Sequence, residues 1–360
     1  MKQGNGIGSI GRCGIKAAVG CGIAFGALSY LPSVSAQSKT LYVGMNGGVM
    51  ERTYVDHVFP AFEKENNVKV VVVPGTSSDI LAKVQANKDK PQMHIIFLDD
   101  GVMYRAIGMG LCDELADSPE LKEIPANARI RGNMAAAVAI GMTGLAYNTK
   151  MFKEKGWAVP TSWQDLADPK FKGKVIFQSL PSSTFGLHAF LMVNRLNGGT
   201  ESNVEPGFKA WKTGVGANVG EYVANSAKLS EMVQTGEAGL FPSTPTQVMV
   251  LKSKGLPVEY AQPKEGAVAL NTMECVIARN DEPALAQKLA AFLLSPGAQA
   301  KALQGGASIP ANPKTPLPAD TDALIKRAVD YAHTAVVMDW DVINAQRPAW
   351  STRWNKTVER

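Results

Sequence analysis

The polar residues of this chain gather in short clusters of hydroxyls, amides and glycines, not in catalytic sets. The clusters are Asn46-Gly47-Gly48, Thr76-Ser77-Ser78, Asp99-Asp100-Gly101, Ser182-Ser183-Thr184 and Ser243-Thr244. Backbone N–H groups at helix starts, with hydroxyls beside them, suit a polar or anionic small molecule. Each cluster alone also has the composition of a helix cap. Asp99, Asp100 and Glu274 supply carboxylates that could meet an ammonium group. Neighbouring residues on an extended chain point apart, so Asp99-Asp100 is a poor catalytic dyad. The chain has no G-x-S-x-G elbow, no H-E-x-x-H and no phosphate-binding P-loop. Its four histidines, His57, His94, His188 and His333, lack metal-ligand spacing. Binding without a cofactor or metal, and without chemistry, is the expectation.

The clusters follow strands or open helices. Residues 40–45, 69–73 and 94–98 read as strands, alternating with an apolar helical period over 51–67 and a helix opening at Thr76. Further strands are expected at 141–147, 174–177, 239–241, 258–260 and 267–277. Helices are expected from Ser182 through Leu191, and over 283–294 and 298–303. A C-terminal segment carries Trp340, Trp350 and Trp354 with polar residues between them. Alternation of strand and helix argues for an α/β protein with mostly parallel sheets and helices on both faces. In such sheets ligands bind beyond the carboxyl ends of the strands, where the clusters fall.

Residues 1–36 place the rest. Lys2, Arg12 and Lys16 precede an apolar run from Ala17 to Leu31, then Pro32 and the small triplet Val34-Ser35-Ala36. This is the order of a secretory signal peptide, and the run falls short of the about 20 residues a membrane span needs. Cleavage after Ala36 is expected, and an uncleaved N-terminal anchor or lipid attachment at Cys21 are the alternatives. Losing those residues lowers the formal charge from +5 to +2, which removes any argument for nucleic acid. Cys112 and Cys275 remain. One disulfide is open to them, while Cys275, in the apolar run Glu274-Cys275-Val276-Ile277, also fits a buried inert thiol.

Several motifs resemble one family. They are Gly141-Met142-Thr143-Gly144-Leu145-Ala146-Tyr147-Asn148, then Pro160-Thr161-Ser162-Trp163-Gln164-Asp165-Leu166 with Pro169-Lys170-Phe171-Lys172-Gly173-Lys174. Glu231 to Glu237, Pro263-Lys264-Glu265-Gly266 and Ala290 to Gly297 follow in order. Together they resemble the extracellular solute-binding proteins of ABC importers, in the branch of spermidine/putrescine-binding proteins and their iron-binding relatives. The resemblance implies a two-lobed, hinged periplasmic-binding fold. One lobe would be formed by residues 37–142 plus 270–308 and the other by 143–269 plus 309–360. It further implies a monomer in the periplasm, which hands its solute to an inner-membrane ABC permease. The aromatic rings of the polyamine binders and the paired tyrosines of the iron binders are missing, so a zwitterion such as an amino acid derivative or aminophosphonate is expected beside a polyamine-like solute. Asn46, Gly47, Gly48, Thr76, Ser77, Ser78, Asp99, Asp100, Thr143, Ser182, Ser183, Thr184, Ser243, Thr244 and Glu274 are the expected binding residues. A receptor presenting solute to a sensor kinase and a secreted α/β enzyme are the competing classes.

Overall fold

The structure, a computed structural model, describes residues 39–359 apart from residues 225, 307, 308 and 333. The expected signal segment and Cys21 lie outside the described residues. The strands are β1 (Lys39–Met45), β2 (Val68–Pro74), β3 (Ile95–Asp99), β4 (Cys112–Asp113), β5 (Arg129–Ile130), β6 (Ala135–Ala139) and β7 (Met142–Asn148). They continue as β8 (Val175–Gln178), β9 (Val219–Val223), β10 (Leu240–Ser243), β11 (Val258–Ala261), β12 (Val268–Ala269) and β13 (Thr272–Ile277).

Two sheets result. The first has the order β2-β1-β3-β13-β6-β5, with β4 on β13; the second is β11-β7-β10-β8-β9, with β12 on β7. β1 runs parallel to β2 and β3, and β8 runs parallel to β9 and β10. The remaining pairs are antiparallel. The sheets are therefore mixed, and the cause is local. β7 and β13 begin just after the chain has crossed from the other sheet, and they enter against the direction of their neighbours. The apolar run 267–277 is accordingly not one strand. It breaks at Leu270-Asn271, where Leu270 N–H donates to the Gly141 carbonyl at 2.9 Å in the opposite crossing. An added Cβ at Gly141 would stand 2.6 Å from the Leu270 oxygen, so only glycine lets the two crossings lie this close.

Helices cover both sheets. Leu41, Val43, Ile95 and Phe97 of the first sheet pack with Phe59, Phe62 and Leu289. The second sheet buries Leu145 and Phe177 against Trp211 and Trp354 on one face, and Ala146, Ile176 and Phe241 against Val248 on the other. Ala311 packs with the first core. The helix expected over 51–67 spans 49–66 and carries a π turn at Tyr54–Val58. Cys112 and Cys275 form a disulfide joining β4 to β13, which replaces the inert-thiol reading; the two run side by side, with Cα atoms 5.8 Å apart. Among the described residues no helix is long and apolar enough to cross a membrane.

Candidate functional site

A cleft of about 690 Å³ opens between helices of the two sheets. Three helix starts reach it. Thr76 caps the helix Ser77–Ala86, its hydroxyl accepting from Asp79 N–H while Asp79 accepts from Thr76 N–H. Asp100 opens the helix Asp100–Gly108 directly after β3. Ser183 caps the helix Thr184–Leu196 by accepting from Phe185 N–H at 3.2 Å. Thr76, Ser77, Ser78, Asp99, Asp100, Ser182 and Thr184, all expected from the sequence, line this one cleft. Ser77 is fixed by accepting from Asp99 N–H at 3.1 Å, which ties the first helix start to the end of β3.

The other expected residues sit elsewhere. Asn46, Gly47 and Gly48 form the turn between β1 and the next helix, and Gly48 takes the positive φ of 78° that the turn needs. Thr143 is buried, its hydroxyl 2.9 Å from His188 Nδ1. Ser183 itself turns inward and donates to Gln178 Oε1. Ser243 is buried at the end of β10, and Thr244 caps the helix Pro245–Ser253. Glu274 lies inside the first sheet, fully buried between Phe97 and Ala136, and its carboxyl oxygens have no partner among the described residues. Burial pushes its pKa well up, so it is a neutral core acid.

The opposite wall was not anticipated. Trp340, Asn344, Arg347, Pro348 and Ser351 form one face of the helix Trp340–Thr357, while Ile343, Trp350 and Trp354 bury the other. That spacing is helical and was present in the sequence. Arg105, one turn beyond Gly101, completes the lining. Among the described residues neither arginine has an ion-pair partner, and Arg347 makes one long hydrogen bond, to the Leu180 carbonyl at 3.5 Å. Burial and the nearby Arg105 charge push the Arg347 pKa down. Two guanidinium groups beside three helix N-termini form a positive zone that an anion would neutralise.

The acids are held differently. Asp100 accepts from Gly101 N–H at 2.8 Å and from Asn271 N–H at 3.3 Å. Burial pushes its pKa up to about 7 against those bonds. Burial also raises the pKa of Asp99, and Ser77 opposes the rise. Behind Trp340, His188 is neutral, its pKa driven down to about 3 by burial and by Arg347.

Two sheets of mixed strands, joined where β6 passes to β7 and β12 to β13 and flanking a polar cleft, define the two-lobed solute-binding class. The model of the bacterial extracellular solute-binding protein family matches residues 58–331, and the chain belongs to that family. Binding proteins of this family bind small solutes and deliver them to ABC permeases. The chain is 22% identical over 341 residues to a Salmonella typhimurium protein named "Putative 2-aminoethylphosphonate-binding periplasmic protein", covering 92% of this chain and 96% of that one. A Haemophilus influenzae protein of unstated role is 27% identical over 212 residues, only 59% of its length. In structure the chain resembles an ABC transporter protein from Clostridium perfringens, with TM-score 0.76 and 22% identity over 88% of this chain and 99% of the other. The periplasmic binding protein AfuA of Actinobacillus pleuropneumoniae, bound to fructose-6-phosphate, matches with TM-score 0.69 and 22% identity over 89% and 99%.

Proposed function

We propose that this protein captures a small zwitterion in the cleft, with its anionic group at Arg105 and Arg347 and its ammonium at Asp99, and delivers it to an ABC permease. One observation carries the reading: two arginines that have no acidic partner among the described residues face the same cleft as three helix N-termini. A polyamine, wholly cationic, would be repelled there. Asp99 is assigned the ammonium because the Asp100 oxygens already accept two backbone N–H groups. The name of the Salmonella relative supports an aminophosphonate as the solute. In this reading residues 1–36 direct export, the protein works as a periplasmic monomer without turning over its ligand, and the lobes are residues 37–142 plus 270–308 and 143–269 plus 309–360.

Calorimetry with three probes tests it. 2-Aminoethylphosphonate carries both charges, methylphosphonate only the anion and ethanolamine only the cation. The expected order of affinity follows that sequence. Arg347→Gln should weaken both phosphonates by about 1.5–3 kcal/mol, the value of a hydrogen bond to a charged group. Binding of ethanolamine alone, or of putrescine above the phosphonates, would overturn the reading.

A further inference from the structure

The stretch from Thr149 to Lys174, which holds the Pro160-to-Leu166 and Pro169-to-Lys174 motifs, has no part in the cleft. It lies at the other end of the second sheet. Leu240 at the start of β10 pairs with Val175 at the start of β8 and with Tyr147 near the end of β7, so these three ends share one edge. The helix Thr149–Lys155 leaves from that edge, and residues 169–174 lead back into it. The cleft lies past the opposite end of β8, at Pro181 and Ser182. Three rings hold the stretch together: the Phe152 centroid is 5.4 Å from that of Phe171, and Trp157 lies 5.3 Å from Phe152 and 5.0 Å from Phe171. Around them stand Lys150, Lys153, Lys155, Lys170 and Lys172, all exposed, with Lys174 half-buried. These six lysines against Glu154, Asp165 and Asp168 give the stretch a net charge of +3. Two of the acids are engaged: Asp165 accepts from Thr161 N–H and Ser162 N–H, and Asp168 pairs with Lys170 at 2.8 Å. Among the described residues Lys170 is the one lysine of the six with an acidic partner. The tip between them is apolar. Trp157 is half-buried, and Val159, two residues on, is 54% exposed.

We propose that this end of the second sheet is a contact surface for an anionic phospholipid bilayer, with Val159 and Trp157 at headgroup level and the lysines meeting lipid phosphates around them. The proposal rests on the export and delivery to a membrane permease inferred above, which place the protein beside phospholipid surfaces. Composition separates a lipid partner from a protein one. Protein interfaces are enriched in arginine and depleted in lysine, whereas this stretch holds six lysines and no arginine. Each lysine carries a hydrated point charge on a flexible stem, which suits a fluid array of phosphates better than one fixed carboxylate. Tryptophan is at home where water meets hydrocarbon, and here it stands beside an exposed valine inside the basic ring. Lysines near an anionic leaflet each raise partitioning about fivefold, so the contact is weak singly and additive around the ring. It leaves the cleft, at the other end of the sheet, clear of the bilayer.

Sedimentation with vesicles tests it, with no solute present, so the result stands whether or not the cleft binds a phosphonate. Protein purified after export is mixed with vesicles of equal parts phosphatidylglycerol and phosphatidylcholine, or of phosphatidylcholine alone. Binding to the anionic vesicles only is expected, and it should vanish in about 1 M salt, where a charge reaches about 3 Å. Lys150→Gln, Lys153→Gln and Lys155→Gln should each lower partitioning about fivefold. Lys288→Gln, an exposed lysine on the helix Pro283–Leu294 that packs on the first sheet, should leave it unchanged. Val159→Trp, which enlarges the apolar tip, should tighten binding. All five variants should keep the wild-type affinity for methylphosphonate, whatever that affinity is. Equal losses at Lys155→Gln and Lys288→Gln would reveal a response to net charge alone and overturn the proposal. Binding no stronger to anionic than to neutral vesicles would do the same. Cross-linking from Lys155 to the permease in detergent, joined to that absence of vesicle binding, would assign the surface to a protein partner instead.

Discussion

The Trp340 indole lies against the His188 imidazole with ring centroids 5.6 Å apart, so the far wall of the cleft rests on a buried histidine. Thr143 holds one ring nitrogen at 2.9 Å, and Nε2 has no partner among the described residues. A charged imidazole there would be unsolvated and would face Arg347. Neutrality at His188 is a condition for the wall to stand.

Acid should therefore destabilise the protein through His188. Its folded pKa of about 3 lies below the unfolded value of 6.5. The unfolded chain takes up the proton first, so the contribution is complete above about pH 6.5 and is lost as pH falls toward 3, by up to about 1.4 kcal/mol per unit. Thermal melts across pH 4–8 should show this limb in the wild type and a shallower one in His188→Gln. An equal acid slope in both would contradict the assignment.

Asp100 gives the opposite slope. Burial is the main cause of its rise from 3.8 to about 7, with the Asp99 charge adding to it and the Asn271 and Gly101 N–H groups opposing it. The folded state keeps a proton that the unfolded state has released, so stability declines as pH climbs from about 4 to about 7. Asp100→Asn removes the ionisable group. Melting temperature in that variant should be flatter than the wild type over this range, read in the absence of solute.

Glu274 should be dispensable for folding. Its unpartnered oxygens occupy an apolar layer, and a buried polar group without a partner costs about 1–3 kcal/mol. Glu274→Met keeps the length and drops the oxygens. Denaturant unfolding at pH 7 is expected to show a gain of that order. A loss would mean the acid has a partner during folding or closure.

How much of this was legible in the chain divides along physical lines. The hydroxyl clusters could be found because a Ser or Thr cap is a local signal, and Thr76, Ser77, Ser182 and Thr184 proved to share one cleft. Arg105 and Arg347 could not, because an arginine's role depends on which helix face meets the opposite lobe. The spacing of Trp340, Asn344, Arg347 and Ser351 did hold that information, masked by the tryptophans on the buried face. Glu274 misled for a related reason: a lone acid in an apolar strand looks functional, and only the packing shows it enclosed. The mixed sheet direction was hidden as well, since strand polarity follows from where the chain crosses, not from strand composition.

Gly141 should tolerate no side chain. With its Cβ 2.6 Å from a backbone oxygen in the opposite crossing, Gly141→Ala must push the two links apart. Overpacking of this kind costs about 1–3 kcal/mol. Melting temperature and methylphosphonate affinity are both expected to fall in this variant, whereas unchanged values would show that the crossings separate freely.

All strands of the second sheet, β7 to β12, lie between Cys112 and Cys275, which are 163 residues apart. The second sheet is thus a single excursion whose two ends are fastened together inside the first. Should it come apart while the first sheet holds, its chain remains a closed loop with its departure and return points in register. Reassembly then becomes a search within a confined ring rather than by two free ends. Reducing agent would abolish that confinement without altering a single contact in the cleft.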